Sequence, residues 1–417
     1  MKKTTLILAL ALGFNLFGQS VKGEQLTYTY IKLPTNPVQP KPAFYQAFVN
    51  AAYEVENQKL LDQFEKDKAQ AEADYQREMA EYPNRLKAAD DKYAKEMEAW
   101  NAKSTASKIL EKQVLNENNH PVKDYVAQPY RRTVSPPVLK SSYDYNSLAS
   151  TYLSIDGLEK GSNNALNYVV TLQGFEATPA RVVSEVKKET TVANGVSSSR
   201  DVTYYHLEFT YRHPMSFRVS NAANQEIYAA APAEFTEFKT YKSTAAKTQP
   251  SMDASAAIKA MEDKCLQENL KAINHMVNDR IGFERTEETF ELYYVKSKNE
   301  SHNDILDAYN AATLGFKMLA TNEAQGKAEL DKAISIWNKA LEESDIANKK
   351  ARIDKDVTIA IYMNLLEAYF TLRNTKDADL ILQTLGRMDL ANRDKKQVEA
   401  YQKAYLDLKL RMAANGL

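Results

Sequence analysis

Residues 74–83, DYQREMAEYP, and residues 92–101, KYAKEMEAWN, are near copies of one another. Tyr75 matches Tyr93, Glu78 matches Glu96, Met79 matches Met97, and Tyr82 matches Trp100, at an offset of 18 residues. That offset is about five turns of an α-helix, so matching positions lie one above another on a single face. Phe64, Tyr82 and Trp100 form one row, and Leu61, Met79 and Met97 form a second row three residues away. The two rows merge into one narrow stripe, while the other faces carry Lys, Glu, Asp and Gln. A narrow seam on a polar helix suits packing against one other helix rather than burial in a globule. Pro83 lacks a backbone donor and crowds the preceding turn. The spacing therefore predicts two helices, about 43–81 and 84–115, in a charged arm over 43–118. They fold as an antiparallel hairpin or kink at Tyr82–Pro83. The stripe is then the inner seam of the hairpin, and the alternative is a seam for another chain, including self-association of two copies.

Working outward, the chain opens with MKKTTLILALALGFNLFGQS. Lys2 and Lys3 form a positive region, Leu6–Phe17 an apolar run, and Gly18-Gln19-Ser20 a small-residue exit, the pattern of a secretory signal peptide over 1–20. The run is shorter than the roughly 20 apolar residues that span a bilayer. The LFGQ ending resembles signal peptides of exported Bacteroidota proteins. Cys265 is the only cysteine. It permits no internal disulfide, and it lies far from the signal, so there is no cysteine to acylate there. The expectation is an exported, soluble chain, periplasmic or associated with the outer envelope, with no transmembrane segment or lipid anchor. Within MEDKCLQENL, Cys265 reads as a buried small hydrophobe rather than a nucleophile. The 54 basic and 55 acidic residues nearly cancel, which gives no case for nucleic acid or an anionic membrane surface.

Downstream of the signal, 21–42 holds a strand, with Leu26, Tyr28 and Tyr30 alternating, and a joint rich in proline. Beyond the arm, NENNHPVKDYVAQPYRRTVSPPVLK is loop-like. LNYVVTLQGF (166–175), DVTYYHLEFTY (201–211), MSFRV (215–219) and QEIYAAA (225–231) then read as strands of an antiparallel β-domain over 119–250. The strand near Gln25 is expected to join that sheet, which makes the arm an insertion. Residues 251–300 form a connector: a helix to about Asp279, capped by Asp253 or Ser255, then a strand at 289–296. The fold class is α+β: an antiparallel β-domain with an inserted long helical hairpin, then an all-α module over 301–417.

Residues Tyr362 to Leu390 resemble a tetratricopeptide repeat. Tyr362, Leu365 and Tyr369 take the first-helix positions of its signature, and Ala378 and Leu382 the second-helix positions. Leu366 stands in place of Gly, Leu385 in place of Ala, and Leu390 in place of Pro. A looser unit contains Tyr309, Ala312 and Phe316, then Ala333, Trp337 and Ala340. Corresponding positions lie 45 to 53 residues apart, more than the family's repeat of about 34. The last helix, with Val398, Tyr401, Tyr405 and Leu408 on one face, serves as a cap. The resemblance implies a concave groove for peptides or partner proteins, lined by Asn310, Leu314, Lys317, Met363, Glu367 and Phe370.

No catalytic constellation stands out. His120, His206, His213, His275 and His302 fall in no HExxH or CxxC setting. His206 and His213 lie seven residues apart along strand-like sequence, so they should face opposite ways and be satisfied polar residues there. There is no GxSxG elbow, P-loop or GxGxxG fingerprint. No cofactor or metal is expected. The leading reading is a non-enzymatic exported adaptor or scaffold that contacts other envelope proteins. One rival is a carbohydrate-binding or glycan-processing protein with a platform of Tyr168, Tyr204, Tyr205, Tyr211 and Tyr228. Another is a periplasmic holdase chaperone that uses the arm.

Overall fold

The computed structural model describes residues 20–113, 120–193, 196–248, 254–296 and 301–417. Residues 1–19 of the expected signal peptide, the expected cap Asp253 and the end of the expected arm at 114–119 lie outside the described residues.

The chain begins with β1 (Ser20–Ile31), crosses the proline-rich joint, and enters β2 (Phe44–Ala51). α1 (Glu54–Ala102) and α2 (Thr105–Gln113) follow, then an extended stretch and α3 (Tyr145–Tyr152). Next come β3 (Glu159–Lys160), β4 (Leu166–Leu172), β5 (Glu176–Ala177), β6 (Arg181–Ala193), β7 (Val196–Arg212), β8 (Met215–Ser220) and β9 (Glu226–Ala230). α4 (Ala233–Thr236), β10 (Lys239–Lys242), α5 (Ala254–Ile281) and β11 (Arg285–Lys296) lead into the helices α6 (Asn303–Met318), α7 (Glu323–Leu341), α8 (Lys355–Leu372), α9 (Thr375–Arg387) and α10 (Asn392–Ala414).

The architecture is α+β, with mostly antiparallel sheets, a long early helix and a helical C-terminal part. The main sheet runs β3-β2-β4-β8-β9, parallel at β3-β2 and β2-β4 and antiparallel elsewhere. β4 alternates strictly: Leu166, Tyr168, Val170 and Leu172 are buried, and the residues between them are half-buried. The covered face packs against α3 through Ala149 and its C-cap residue Leu153, and against α5 through Leu266, Leu270, Ile273 and Val277. Burial of each such aliphatic side chain contributes about 1.5–3 kcal/mol. β6 and β7 form a long hairpin, paired from Arg181↔Glu208 to Ala193↔Val196, and β5 and β10 pair along the base of β7.

Three expectations need correction. Phe44–Ala51 is a strand, not the start of the helical arm, because Tyr45, Ala47 and Val49 alternate into the sheet core. β2 and β4 are adjacent parallel strands, so the arm is still an insertion, as the crossover between them. β1 does not join the main sheet. It pairs with β11 over all twelve residues, from Ser20↔Lys296 to Ile31↔Arg285, and forms a separate two-stranded ribbon. Finally, the arm is not a helical hairpin: α1 runs through Pro83 without a break for 49 residues. Pro83 is exposed, so the turn it crowds has solvent on one side to relax into.

The C-terminal helices form two antiparallel pairs, α6/α7 and α8/α9, with α10 packed on α8 and α9. Ala312, Phe316, Ala333, Trp337 and Ala340 are buried in the first pair, and Leu365, Tyr369, Ala378 and Leu382 in the second. Gly315 and Gly326 let α6 and α7 approach closely; a Cβ on Gly315 would lie 2.9 Å from the Gly326 carbonyl oxygen. Asn322, Asp354 and Asn374 cap α7, α8 and α9 by accepting the amides of Gln325, Val357 and Asp377.

Candidate functional site

Two surfaces stand out, the arm and a cleft at the end of the β1–β11 ribbon. α1 is about 73 Å long at its helical rise, yet among its residues only Asn57, Ala71 and Ala89 are buried. An extended strap, residues 120–140, runs back along it. His120 meets the Trp100 ring, Asp124 pairs with Lys92, Arg131 pairs with Glu72 and lies over Tyr75, and Lys140 meets Asn57. From residue 57 to 100 a helix rises about 64 Å. A polyproline-type chain from 120 to 140 spans about 62 Å. The two lengths agree, which is why a segment carrying Pro121, Pro129, Pro136 and Pro137 can lie flat along the helix.

The strap, not a second helix, covers the sequence stripe, and covers it in part. Phe64, Tyr82, Met97 and Trp100 are half-buried, whereas Leu61 and Met79 are each 37% exposed. The base is clamped. The Asn57 amide donates to the Lys140 carbonyl and accepts from the Lys140 N–H, and the Tyr53 hydroxyl donates to the Ser141 carbonyl at 2.7 Å. On α5, Glu262 accepts from Ser141 and Tyr143. Further out the strap turns large side chains to solvent: Tyr125 is 90% exposed, Tyr130 79% and Val138 95%.

The six groove residues implied by the repeat resemblance do not share a surface. Asn310, Leu314 and Lys317 lie exposed on α6. Met363 and Glu367 are buried on α8 and Phe370 is half-buried, because the ribbon and α10 occupy that face. The Tyr28 hydroxyl donates to Glu367 at 2.8 Å, and the Tyr401 hydroxyl donates to its other oxygen at 3.0 Å. Tyr30 and Tyr405 both pack edge-on against Phe370. The Asn364 side chain bonds both the N–H and the carbonyl of Tyr293 on β11, at 2.8 and 2.7 Å. Burial pushes the Glu367 carboxyl up to about 7, against the pull of the two tyrosine hydroxyls.

At the far end of the ribbon a cleft of about 760 Å³ opens between the joint, the start of β11, the α6–α7 and α8–α9 turns and α10. Its wall includes Lys32, Lys41, Arg285, Lys327, Arg373 and Arg411, against Glu323 and Asp407. Arg411 pairs with Asp407 at 2.7 Å and with Asp279 at 2.8 Å; Lys32 also pairs with Asp279, and Lys327 with Glu323. Burial alone would raise the Asp279 carboxyl, but Lys32 and Arg411 hold it below its ordinary range. Arg373 sits at the end of α8 with φ 57°, in the left-handed region. The cations come from residues 32 to 411, so no local motif announces the cleft. The proline-rich joint was the one legible part of it.

The remaining sequence candidates separate. Tyr168 and Tyr228 belong to the main sheet, where Tyr168 is fully buried and Tyr228 packs edge-on against Phe217. Tyr204, Tyr205 and Tyr211 belong to β7, so the five form no shared platform. His213 is buried with neither ring nitrogen hydrogen-bonded, contrary to the satisfied polar role expected, and burial pushes its pKa down to about 4. Cys265 is buried, and desolvation raises its thiol pKa. Among the described residues no group of three or more His, Cys, Asp or Glu is placed to hold a metal, and no helix is long and apolar enough to cross a membrane. Comparison with protein-family models, curated proteins and solved structures found no match.

Proposed function

We propose that this protein is a non-enzymatic adaptor of a bacterial cell envelope, exported by its N-terminal signal, which engages other polypeptides through the strapped arm. The observation that carries this reading is the strap. A helix of 49 residues that buries three side chains contributes little to a core, so its length serves reach. Tyr125 and Tyr130 stand at 90% and 79% exposure on the strap, although tyrosine is a residue type enriched at interface hot spots. The paired C-terminal helices, with small and large apolar residues buried at the positions the repeat signature names, support a scaffold of the tetratricopeptide type. The test is a photo-crosslinking amino acid at Tyr125 or Tyr130 in intact cells, with Asn310 as a control site. The reading expects a discrete adduct from the strap sites and none from the control. Strap sites that yield no adduct, or a smear equal to the control, would refute it.

A holdase chaperone is the second reading. The observation that favours it is a second projection, the β6–β7 hairpin, with Val186 and Val192 exposed at 67% and 71%. A chaperone suppresses aggregation of unrelated denatured proteins at near-stoichiometric ratios, and an adaptor does not.

A further inference from the structure

The cleft at the ribbon's end combines two features that do not depend on each other. The first is an unpaired strand edge. The N–H and carbonyl of Tyr293 both go to Asn364, so Gly23↔Tyr293 is a pair without mutual hydrogen bonds. Antiparallel pairing alternates, so the backbone groups of every second residue from Gly23 onward, including Thr29 and Ile31, point away from β11. The Lys32 N–H, on the opposite parity, donates to Glu284, as this register requires. Thr29 and Ile31 both line the cleft, and among the described residues no strand pairs with that edge of β1; at its end the Ile31 carbonyl accepts only a long bond from Arg373, which an added strand would replace. Open edges of this kind accept an added strand, with main-chain bonds giving affinity and side-chain contacts giving specificity.

The second feature is uncompensated charge. Lys32, Lys327 and Arg411 are matched by Asp279, Glu323 and Asp407. Lys41, Arg285 and Arg373 line the same cleft and form no ion pair among the described residues; Lys41 rests on the Phe283 ring at 4.1 Å. Arg373 holds a left-handed position that glycine or asparagine fills more easily, with its guanidinium reaching the Ile31 carbonyl at 3.4 Å. The volume of about 760 Å³ is that of a ligand pocket rather than of a single ion. The segments outside the described residues carry at most one carboxylate each, Glu117, Asp253 and Glu300, so no one of them has the charge to match all three cations.

We infer that this cleft docks an extended acidic segment of a partner protein, laid as a third strand on the outer edge of β1 with its carboxylates against Lys41, Arg285 and Arg373. The inference rests on the adaptor reading and names a second contact for it, away from the arm. The probe is a fluorescein-labelled octapeptide in which aspartate alternates with threonine or valine, titrated by anisotropy into the full chain. Three competitors or counterparts accompany it: a lysine-for-aspartate peptide, a version N-methylated at alternate amides, and inorganic phosphate. Saturable binding of the acidic peptide is expected, weakened several-fold when salt is raised. The triple variant Lys41→Gln, Arg285→Gln, Arg373→Asn should bind about tenfold more weakly or less, with its melting temperature checked against the parent. The lysine and N-methylated peptides should not bind measurably. Absence of binding by the acidic peptide, equal binding by the triple variant or by either altered peptide, or full displacement by millimolar phosphate would each overturn the inference. The last result would identify a simple anion site. Crosslinks from Tyr125 test the adaptor reading separately, so the two can fail independently.

Discussion

Glu367→Gln is the most informative single substitution. Glu367 is 4% exposed beneath the ribbon and holds the hydroxyls of Tyr28 and Tyr401. In the unfolded chain its carboxyl ionises near 4.5, but in the fold burial moves it up to about 7. Between those values the native state retains a proton that the unfolded chain has released, so stability falls as pH rises. The contribution is fully present below about pH 4.5 and lost above about pH 7. At about 1.4 kcal/mol for each pH unit the loss is roughly 3 kcal/mol. Glutamine keeps the shape and removes the titration, and its single acceptor oxygen costs about 1 kcal/mol against a carboxylate that serves two phenols. The variant should therefore be more stable than the parent by about 2 kcal/mol at pH 8, and within about 1 kcal/mol of it at pH 5. Urea unfolding followed by Trp337 fluorescence measures this, with Trp100→Phe in both proteins to silence the arm. Trp337 is fully buried among α6–α9, so it reports on the right core. A difference between parent and variant that stays flat from pH 5 to 8, or a variant less stable at pH 8, would refute the reasoning.

The other core titrates in the opposite sense. His213, ordinarily near 6.5, is pushed by burial to about 4, so its contribution is present above pH 6.5 and lost as pH falls through 4. His213→Leu should move the acid-unfolding midpoint downward, and an unmoved midpoint would argue against an unsatisfied buried ring. Gly315→Ala should cost about 1–3 kcal/mol by forcing α6 and α7 apart. Gly386→Ala, with nothing within 4 Å of the new methyl, should gain roughly 0.5–1 kcal/mol, so a thermal melt of the pair separates close approach from helix propensity. Asn364→Ala leaves the Tyr293 N–H and carbonyl without partners, a loss of about 1–3 kcal/mol. Hydrogen exchange at the Tyr293 amide should accelerate before exchange in the main sheet does.

Local periodicity carried the reading where one segment's own pattern decides its structure. The strands at Leu166–Leu172 and Met215–Ser220 and the five C-terminal helices lie where alternation and helical spacing place them, whereas β7 begins five residues before the stretch read at 201–211 and its hairpin partner β6, rich in Lys, Glu and Thr, was not read as a strand. The helical character of the arm was legible from its repeat of 18 residues. Its partner was not, because an extended strap without helix or strand leaves no apolar periodicity to recognise; the pairings of Asp124 with Lys92 and of Arg131 with Glu72 reveal it. Phe44–Ala51 was misread because eight residues of mixed pattern beside a strongly helical run favour the neighbour's period. The groove residues on α8 were buried by β1, which lies more than 300 residues away in sequence. Pairings over such separations, and the convergence of Lys41, Arg285 and Arg373, follow from topology rather than from any window of sequence.

The contact between Tyr28 and Glu367 closes the C-terminal core with a strand from the opposite end of the chain. A fragment beginning at α6 would therefore expose Phe316 and Phe370, which Tyr28 and Tyr30 cover in the intact protein. Such a stump would be adhesive, and prey recovered with it would report a missing lid rather than a physiological companion. Dissection by truncation must carry residues 20–31 and 285–296 along with the helices, for example by splicing the first strand onto the far terminus.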